Sequence, residues 1–481
     1  MFFRPIADAS LAQNAYFIGC QRTGEAIVVD PERDVDRYLE LAAEQGFRLT
    51  AVAETHIHAD YLSGARELVE RHGAVAYVSA EGGVDWQFEW GLGHPRVRLL
   101  RGGDRFAVGN IALRAVHSPG HTPEHLSFLV TDHGGGAEEP MGLLSGDFIF
   151  VGDVGRPDLL ESAAGLAGAM EPSARALWAS LRATAGWPEH LQIWPAHGAG
   201  SACGKELGAV PSSVLGYERR YNRALREALE GPQEAFVEHI LAGQPEPPRY
   251  FARMKRDNRL GPALLPGGRL PRPHRLAPEA LAAWHPGSGP EVLLDLRAER
   301  ALFMERHLPG ALFAPLAGGK LPLVAGSYVD EGSSLILLVN HEAEVEEAVR
   351  QLVRIGLDQV VGWILVDQAL AAQREGVDLA VSQARITTAE LGVALEAQPG
   401  AVVLDVRGGE EFRASHVLGA YHIPYTRLAA RLDEVPEGEL LYVHCGSGLR
   451  ASLAAAYLAR EGREVVHVEG AFAAIPAELL A

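Results

Sequence analysis

The run Thr55-His56-Ile57-His58-Ala59-Asp60-Tyr61 sets two imidazoles and a carboxylate directly behind the apolar run LTAVA. A loop at a strand end can turn such side chains onto one ion. Three more ligand-capable runs follow: His117-Ser118-Pro119-Gly120-His121-Thr122, Leu144-Ser145-Gly146-Asp147 and Trp194-Pro195-Ala196-His197-Gly198. Each stands beside a glycine or proline turn. Neutral imidazole and carboxylate suit zinc, iron or manganese, and the lack of cysteine in these runs argues against a structural zinc knot. A single histidine is ordinarily a satisfied polar side chain; four ordered motifs together point to a catalytic metal centre.

A second chemistry sits near the other end. The apolar run LLYVH leads into Cys445-Gly446-Ser447-Gly448-Leu449-Arg450, and the helix-like SLAAAYLARE follows. At such a strand-to-helix turn, successive N–H groups and the helix N-terminus form a positive cradle that favours a thiolate. Arg450 adds a fixed charge. A buried core cysteine is the plainer reading for this residue type, but the flanking glycines and arginine favour a nucleophile.

The elements that position these residues are α/β throughout. At 481 residues and 47% hydrophobic content the chain exceeds one core, so two to four domains are expected. Residues 1–262 alternate β-rich and helical runs, with LTAVAET before His56 and GARELVERHG after it. Between Gly261 and Pro290 the text turns Pro- and Gly-rich (GPALLPGGRLPRPHR, HPGSGP), which reads as a linker and the entry to the next domain. The rest repeats itself: RLAPEALAAWHPGSGPEVLLDLR recurs as RITTAELGVALEAQPGAVVLDVR, setting Asp295 and Asp405 110 positions apart. That spacing means two copies of one module, over 263–375 and 385–481, rather than a solenoid. The strand–polar–strand–helix alternation in both copies predicts small parallel sheets.

With 43 Lys plus Arg against 62 Asp plus Glu, the formal charge is −19, which disfavours nucleic acid and anionic membranes as partners. Three scattered cysteines, Cys20, Cys203 and Cys445, give no disulfide framework and fit a reducing compartment. The first residues show no basic segment followed by an apolar stretch, and no uncharged run reaches the ~18 residues of a membrane span. A cytoplasmic location is expected, and a homo-oligomer is compatible with the sequence.

The metal motifs, in this order, resemble the metallo-β-lactamase superfamily, in which an HxHxDH loop, a later His, a bridging Asp and a final His build one or two metal sites. The resemblance covers residues 1–262 and implies an αββα sandwich. Tyr61 stands where the pattern has its third histidine, which removes a ligand of the second metal and favours a mononuclear site. Within the superfamily, two histidines and one carboxylate on a single iron(II) mark the persulfide dioxygenases. Carried over, these ligands are His56, His121 and Asp147, leaving about three octahedral positions open for a sulfur and dioxygen. His58, Asp60, Tyr61 and His197 would then orient ligands or hydrogen-bond bound oxygen.

Gly155-Arg156-Pro157-Asp158-Leu159, the run from Gly198 to Lys205, and Arg249-Tyr250-Phe251-Ala252-Arg253-Met254-Lys255-Arg256 are similar to the bacterial persulfide dioxygenase and rhodanese fusions. Guanidinium and ammonium are natural partners of carboxylates, so the basic cluster Arg253, Lys255 and Arg256 is expected to hold those of a low-molecular-weight thiol persulfide such as glutathione persulfide. Arg156, oriented by Asp158, would help nearer the metal, and Cys203 is read as structural. A solvated helix face is the plainer alternative for the basic cluster.

CGSGLRA, with its loop Gly446, Ser447, Gly448 and Leu449, closely resembles the active loop of rhodaneses, and Asp405-Val406-Arg407 and His416-Val417-Leu418-Gly419-Ala420 match their upstream framework. The likeness implies that Cys445 carries sulfur. In the earlier copy Asn340-His341-Glu342-Ala343-Glu344-Val345-Glu346 stands at the same place. His341 takes the cysteine's position and three glutamates surround it, so that copy should be catalytically silent. The expected activity is oxidation of a thiol persulfide by dioxygen to sulfite and thiol, coupled to sulfur transfer among persulfide, sulfite and thiosulfate. A dinuclear zinc thioesterase of the glyoxalase II kind, using His58, Asp60 and His197 as further ligands, is the rival reading. A metal-binding interaction module beside a lone sulfurtransferase is a third.

Overall fold

A computed structural model describes residues 1–162, 165, 167–284, 291–374 and 377–481. The expected linker run HPGSGP lies outside the described residues. The chain divides into two compact units, Met1–Leu270 and Pro271–Ala481. The first reaches past residue 262 because the following stretch is tied back onto it. Arg33 Nη2 donates to the Ala263 carbonyl at 2.6 Å, Arg71 Nη2 to that of Leu265 at 2.8 Å, and the Leu265 N–H to Glu67 Oε2 at 3.0 Å.

Two six-stranded sheets face each other in the first unit. One runs in chain order through Phe2–Asp8, Gln13–Cys20, Glu25–Val29, Arg48–Ala53, Val75–Ser79 and Val97–Leu100, antiparallel at first and parallel from Glu25–Val29 onward. The other is ordered Ser213–Val214, Gln192–Pro195, Gly142–Gly146, Leu126–Asp132, Ile111–His117 and Arg105–Val108. Between them lies an apolar layer containing Ile18, Ile27, Leu113, Phe128, Leu144 and Trp194. Helices cover the outer faces: Tyr38, Leu68 and Val69 pack on the first sheet, and Leu177, Leu181, Leu225 and Phe236 on the second. Covered on both faces, the strand Gln13–Cys20, second in its sheet, is buried along nearly its whole length. This is the αββα sandwich the resemblance implies.

The second unit holds the duplication. Strands His274–Arg275, Val360–Leu365, Ser334–Val339, Glu291–Asp295 and Leu312–Phe313 form one five-stranded parallel sheet. Arg385–Thr387, Val465–Glu469, Leu441–His444, Val402–Asp405 and Tyr421–His422 repeat the same order in another. The hydrogen bonds repeat too. Arg297 clamps Asp295 as Arg407 clamps Asp405, with closest contacts of 2.7 and 2.6 Å. His307 Nδ1 donates to the Phe303 carbonyl as His416 Nδ1 does to that of Phe412, at 2.9 and 3.0 Å. Among the described residues no helix is long and apolar enough to cross a membrane.

Candidate active sites

The loop after Arg48–Ala53 and the ends of Ile111–His117, Gly142–Gly146 and Gln192–Pro195 meet at one end of the sandwich. They bring donor atoms of His56, His121 and Asp147 within 4.8 Å of one another, all three side chains buried. His121 Nε2 lies 3.3 Å and His56 Nε2 3.8 Å from Asp147 Oδ2, and His197 Nε2 lies 3.5 Å from Oδ1. Close approach is needed here: a Cβ on Gly155 would fall 1.8 Å from the Asp147 carbonyl oxygen, so only glycine lets the following loop pass this close to the Asp147 backbone.

The opposite nitrogen of each imidazole is held by an oxygen. His121 Nδ1 donates to the Arg156 carbonyl at 3.0 Å and His197 Nδ1 to that of Ala12 at 3.2 Å. His56 Nδ1 lies 2.9 Å from Thr55 Oγ1, whose own proton goes to Asp30 Oδ2 at 2.8 Å. With protons fixed on Nδ1, three Nε2 lone pairs converge on a carboxylate. Asp30 adopts a left-handed backbone, φ +54°, uncommon for a residue other than glycine. That strained placement lets its carboxylate also accept from the Thr55 N–H at 2.7 Å.

Burial and the neighbouring imidazoles hold His56 and His121 well below the ordinary histidine range, so both stay neutral. Burial lowers His197 as well, against the pull of Asp147. Burial pushes the carboxyls of Asp147 and Asp60 up to about 6. Both oxygens of each, and His197 Nε2, are buried without a hydrogen-bond partner among the described residues. Lone pairs facing lone pairs in a dry site are costly unless a cation lies between them. The residues present therefore fit a divalent metal.

His58 is turned elsewhere. Its Nε2 lies 3.2 Å from both Asp30 Oδ1 and Glu54 Oε2, and it groups with those two acids rather than with His56. Burial opposes a charge on His58, but the two carboxylates outweigh it and hold its pKa well above the usual value. Its Nδ1 has no hydrogen-bond partner among the described residues. Tyr61 stacks near its ring with centroids 4.5 Å apart and donates to the Asp30 carbonyl at 3.2 Å. Asp60 lies 3.3 Å from His197 Nε2, and Cys203 joins these two in a further group of potential ligands. Sequence reasoning takes Cys203 as structural and does not place it beside Asp60 and His197; burial and the nearby Asp60 and Asp147 hold its thiol well above the ordinary range.

Of the expected substrate contacts, Arg156 is already engaged. Its Nε and Nη2 donate to Asp158 at 2.7 and 2.6 Å and its Nη1 to the Ala202 carbonyl at 2.9 Å. It braces the carbonyl that orients His121. Helix Phe251–Leu260 carries Arg253, half-buried, and Lys255, whose ammonium is buried with no hydrogen-bond partner among the described residues, 4.5 Å from the Trp86 ring centre. Burial, against the nearby Glu124, brings Lys255 down to about 8. Asn258 on the same helix donates to the carbonyls of His58 and Tyr61 at 2.8 and 2.7 Å, tying the helix to the metal loop.

In the second unit, Cys445 follows strand Leu441–His444 and precedes helix Leu449–Arg460. Gly448, at φ +96°, turns its N–H to Sγ at 3.1 Å, a conformation glycine adopts without strain. Arg450 pairs with Glu411, one contact being 2.8 Å, and Ser447 is exposed at the loop's tip. In the earlier copy Asp295 pairs with Leu338 as Asp405 pairs with His444, so Val339, and not His341 as expected, takes the cysteine's position. In the loop that follows, Glu344 Oε2 accepts from the Asn340 N–H at 2.8 Å and the His341 N–H at 3.4 Å, so its own carboxylate occupies these N–H groups.

The metallo-beta-lactamase superfamily description matches residues 10–197 and the rhodanese-like domain description residues 387–478. A metallo-beta-lactamase structure from Staphylococcus aureus subsp. aureus COL is 38% identical, spans 76% of this chain and 99% of its own, and superposes with a TM-score of 0.65. The chain belongs to the metallo-beta-lactamase superfamily, and it carries a rhodanese-like domain as well. Among curated relatives, a mitochondrial persulfide dioxygenase of Bos taurus is 30% identical over 34% of this chain and 59% of its own length. A probable zinc-dependent hydrolase of polyketide biosynthesis from Bacillus velezensis is 26% identical over 40% of this chain and 77% of its own.

Proposed function

We propose that the chain is an iron(II) persulfide dioxygenase fused to two rhodanese-like modules, of which only the last transfers sulfur. The observation that carries this reading is the trio His56, His121 and Asp147, with His58 drawn off to Asp30 and Glu54. Iron(II) bound by that trio would supply open coordination positions and the one-electron chemistry that dioxygen requires. The chain's residues do the rest. The Nδ1 bonds fix the imidazoles, the burial of all three side chains keeps bulk water away, and Lys255 meets an anionic group of the substrate. The net reaction balances: R–S–S⁻, dioxygen and water give R–SH, sulfite and one proton. We assign His197, Asp60 and Tyr61 to orienting this shell, and Arg156 with Asp158 to bracing His121.

Cys445 then takes up sulfane sulfur. Its thiolate attacks the outer sulfur of thiosulfate, the S–S bond breaks, sulfite leaves, and a cysteine persulfide remains. The reverse step forms thiosulfate from sulfite. A short tether raises the local concentration of one module's product at the other.

Two observations favour a second reading, a dinuclear hydrolase: the Asp60, His197 and Cys203 group, and the unpartnered His58 Nδ1. Product analysis with glutathione persulfide separates the two. One sulfite per dioxygen consumed supports the dioxygenase; cleavage of a glutathione thioester without oxygen consumption overturns it.

A further inference from the structure

We propose that Arg300, which belongs to the copy without a cysteine, is a positioning residue for the sulfur-carrying loop of the other copy. The inference rests on the reading of Cys445 as the sulfur carrier. Arg300 opens helix Arg300–Glu305 and forms a two-pronged pair with Glu469 at the end of strand Val465–Glu469, one contact being 2.9 Å. Its guanidinium also lies against the loop itself: a Cβ on Gly448 would fall 2.7 Å from Arg300 Nη1. Glu469 Oε2 stands 3.5 Å from His467 Nδ1, and His467 Nε2 donates to the Gly448 carbonyl at 3.0 Å. Gly448 in turn gives its N–H to Cys445 Sγ. A chain of contacts thus runs from the silent copy to the reactive sulfur.

The surroundings support that direction of influence. Helix Leu449–Arg460, which follows the loop, is buried along Ala451–Leu458. Tyr457 stacks on Tyr328 of the silent copy at 4.5 Å and 6°, and Arg460 Nη1 donates to the Gly310 carbonyl at 3.2 Å. The loop and its helix are therefore held by both copies. Arg300 and Glu469 are themselves part-exposed, 25% and 34%, and pairs of that kind add little to folding. What the pair does instead is set the Arg300 guanidinium against Gly448 and the Glu469 carboxylate beside the His467 ring, whose Nε2 holds the Gly448 peptide. On the loop's other side Arg450 and Glu411 make the matching pair, against Gly446.

The test uses the full chain and its Arg300→Ala, Arg300→Lys and Glu469→Gln variants. Alkylation of Cys445 by iodoacetamide is followed at the peptide level, beside kcat and KM for sulfur transfer from thiosulfate to cyanide and the melting temperature. Arg300→Ala and Glu469→Gln should each slow alkylation and lower kcat about three- to tenfold, the weight of one weakened hydrogen bond. The melting temperature should stay unchanged, and Arg300→Lys should recover at least half of the rate. Wild-type alkylation in Arg300→Ala overturns the proposal, as does a loss that follows the melting temperature and is not recovered by lysine. A wild-type chain that passes no sulfur to cyanide, with alkylation still slowed in Arg300→Ala, leaves the positioning intact and removes the sulfur-carrier reading.

Discussion

His121 Nε2 faces Asp147 Oδ2 across 3.3 Å while its Nδ1 proton is given to the Arg156 carbonyl. A neutral ring whose far nitrogen is already satisfied can only offer Nε2 as a lone-pair donor, and the carboxylate it faces has no proton donor among the described residues. The same logic holds His56 through Thr55 and Asp30, so the groups behind the ligands are as testable as the ligands.

Asp30→Asn should leave the fold in place and weaken metal binding roughly 10–100-fold, the usual cost of losing a supporting hydrogen bond behind a ligand. Competition with a chelator measures it. Wild-type affinity would show that the Asp30–Thr55–His56 chain has no hold on the metal.

Cys445→Ser should abolish sulfur transfer and leave oxygen consumption at the wild-type rate, since the two chemistries use separate side chains. Stopped oxygen consumption in this variant would tie the cysteine to the metal reaction and contradict the division of labour.

Lys255 titrates near 8, so its cation is present below that pH and lost above it. Affinity for an anionic persulfide should fall as pH rises through about 8. Lys255→Gln should raise KM roughly tenfold, the weight of one charge-assisted hydrogen bond, and flatten that pH dependence. Steady-state kinetics from pH 6 to 9, at roughly one-unit steps around the lysine's value, decide it.

The silent copy should resist simple repair. Val339→Cys alone should place a thiol beside a loop whose N–H groups are already taken by Glu344 and react slowly with iodoacetamide. Adding Glu344→Gly should free those N–H groups and raise the peptide-resolved alkylation rate at position 339 at least tenfold, as a freed thiolate site allows. Equal rates in the two variants would show that Glu344 does not occupy them.

Much of this was legible in the chain because the donors stand at strand ends beside turns. His56, His121, Asp147 and Cys445 each follow an apolar run, and the duplication of Asp295-Leu296-Arg297 as Asp405-Val406-Arg407 marks the two parallel sheets. What local spacing does not carry is the support behind the ligands. Asp30 and Glu54 sit in strand-end text with no ligand pattern, and they reach His58 only because parallel pairing sets Val29 beside Ala53. Cys203 lacks any flanking signal, since its neighbours Asp60 and His197 come from distant loops. Asp158 beside Arg156 was legible as its orienting partner, whereas the Ala202 carbonyl that also accepts from the guanidinium comes from a distant loop.

The most direct test of the central claim is metal analysis of chain purified without oxygen, joined to respirometry with glutathione persulfide on the iron- and zinc-reconstituted forms. The account predicts one iron per chain, oxygen consumption with iron, and none with zinc. Two zinc ions per chain and no oxygen consumption in either form would contradict it.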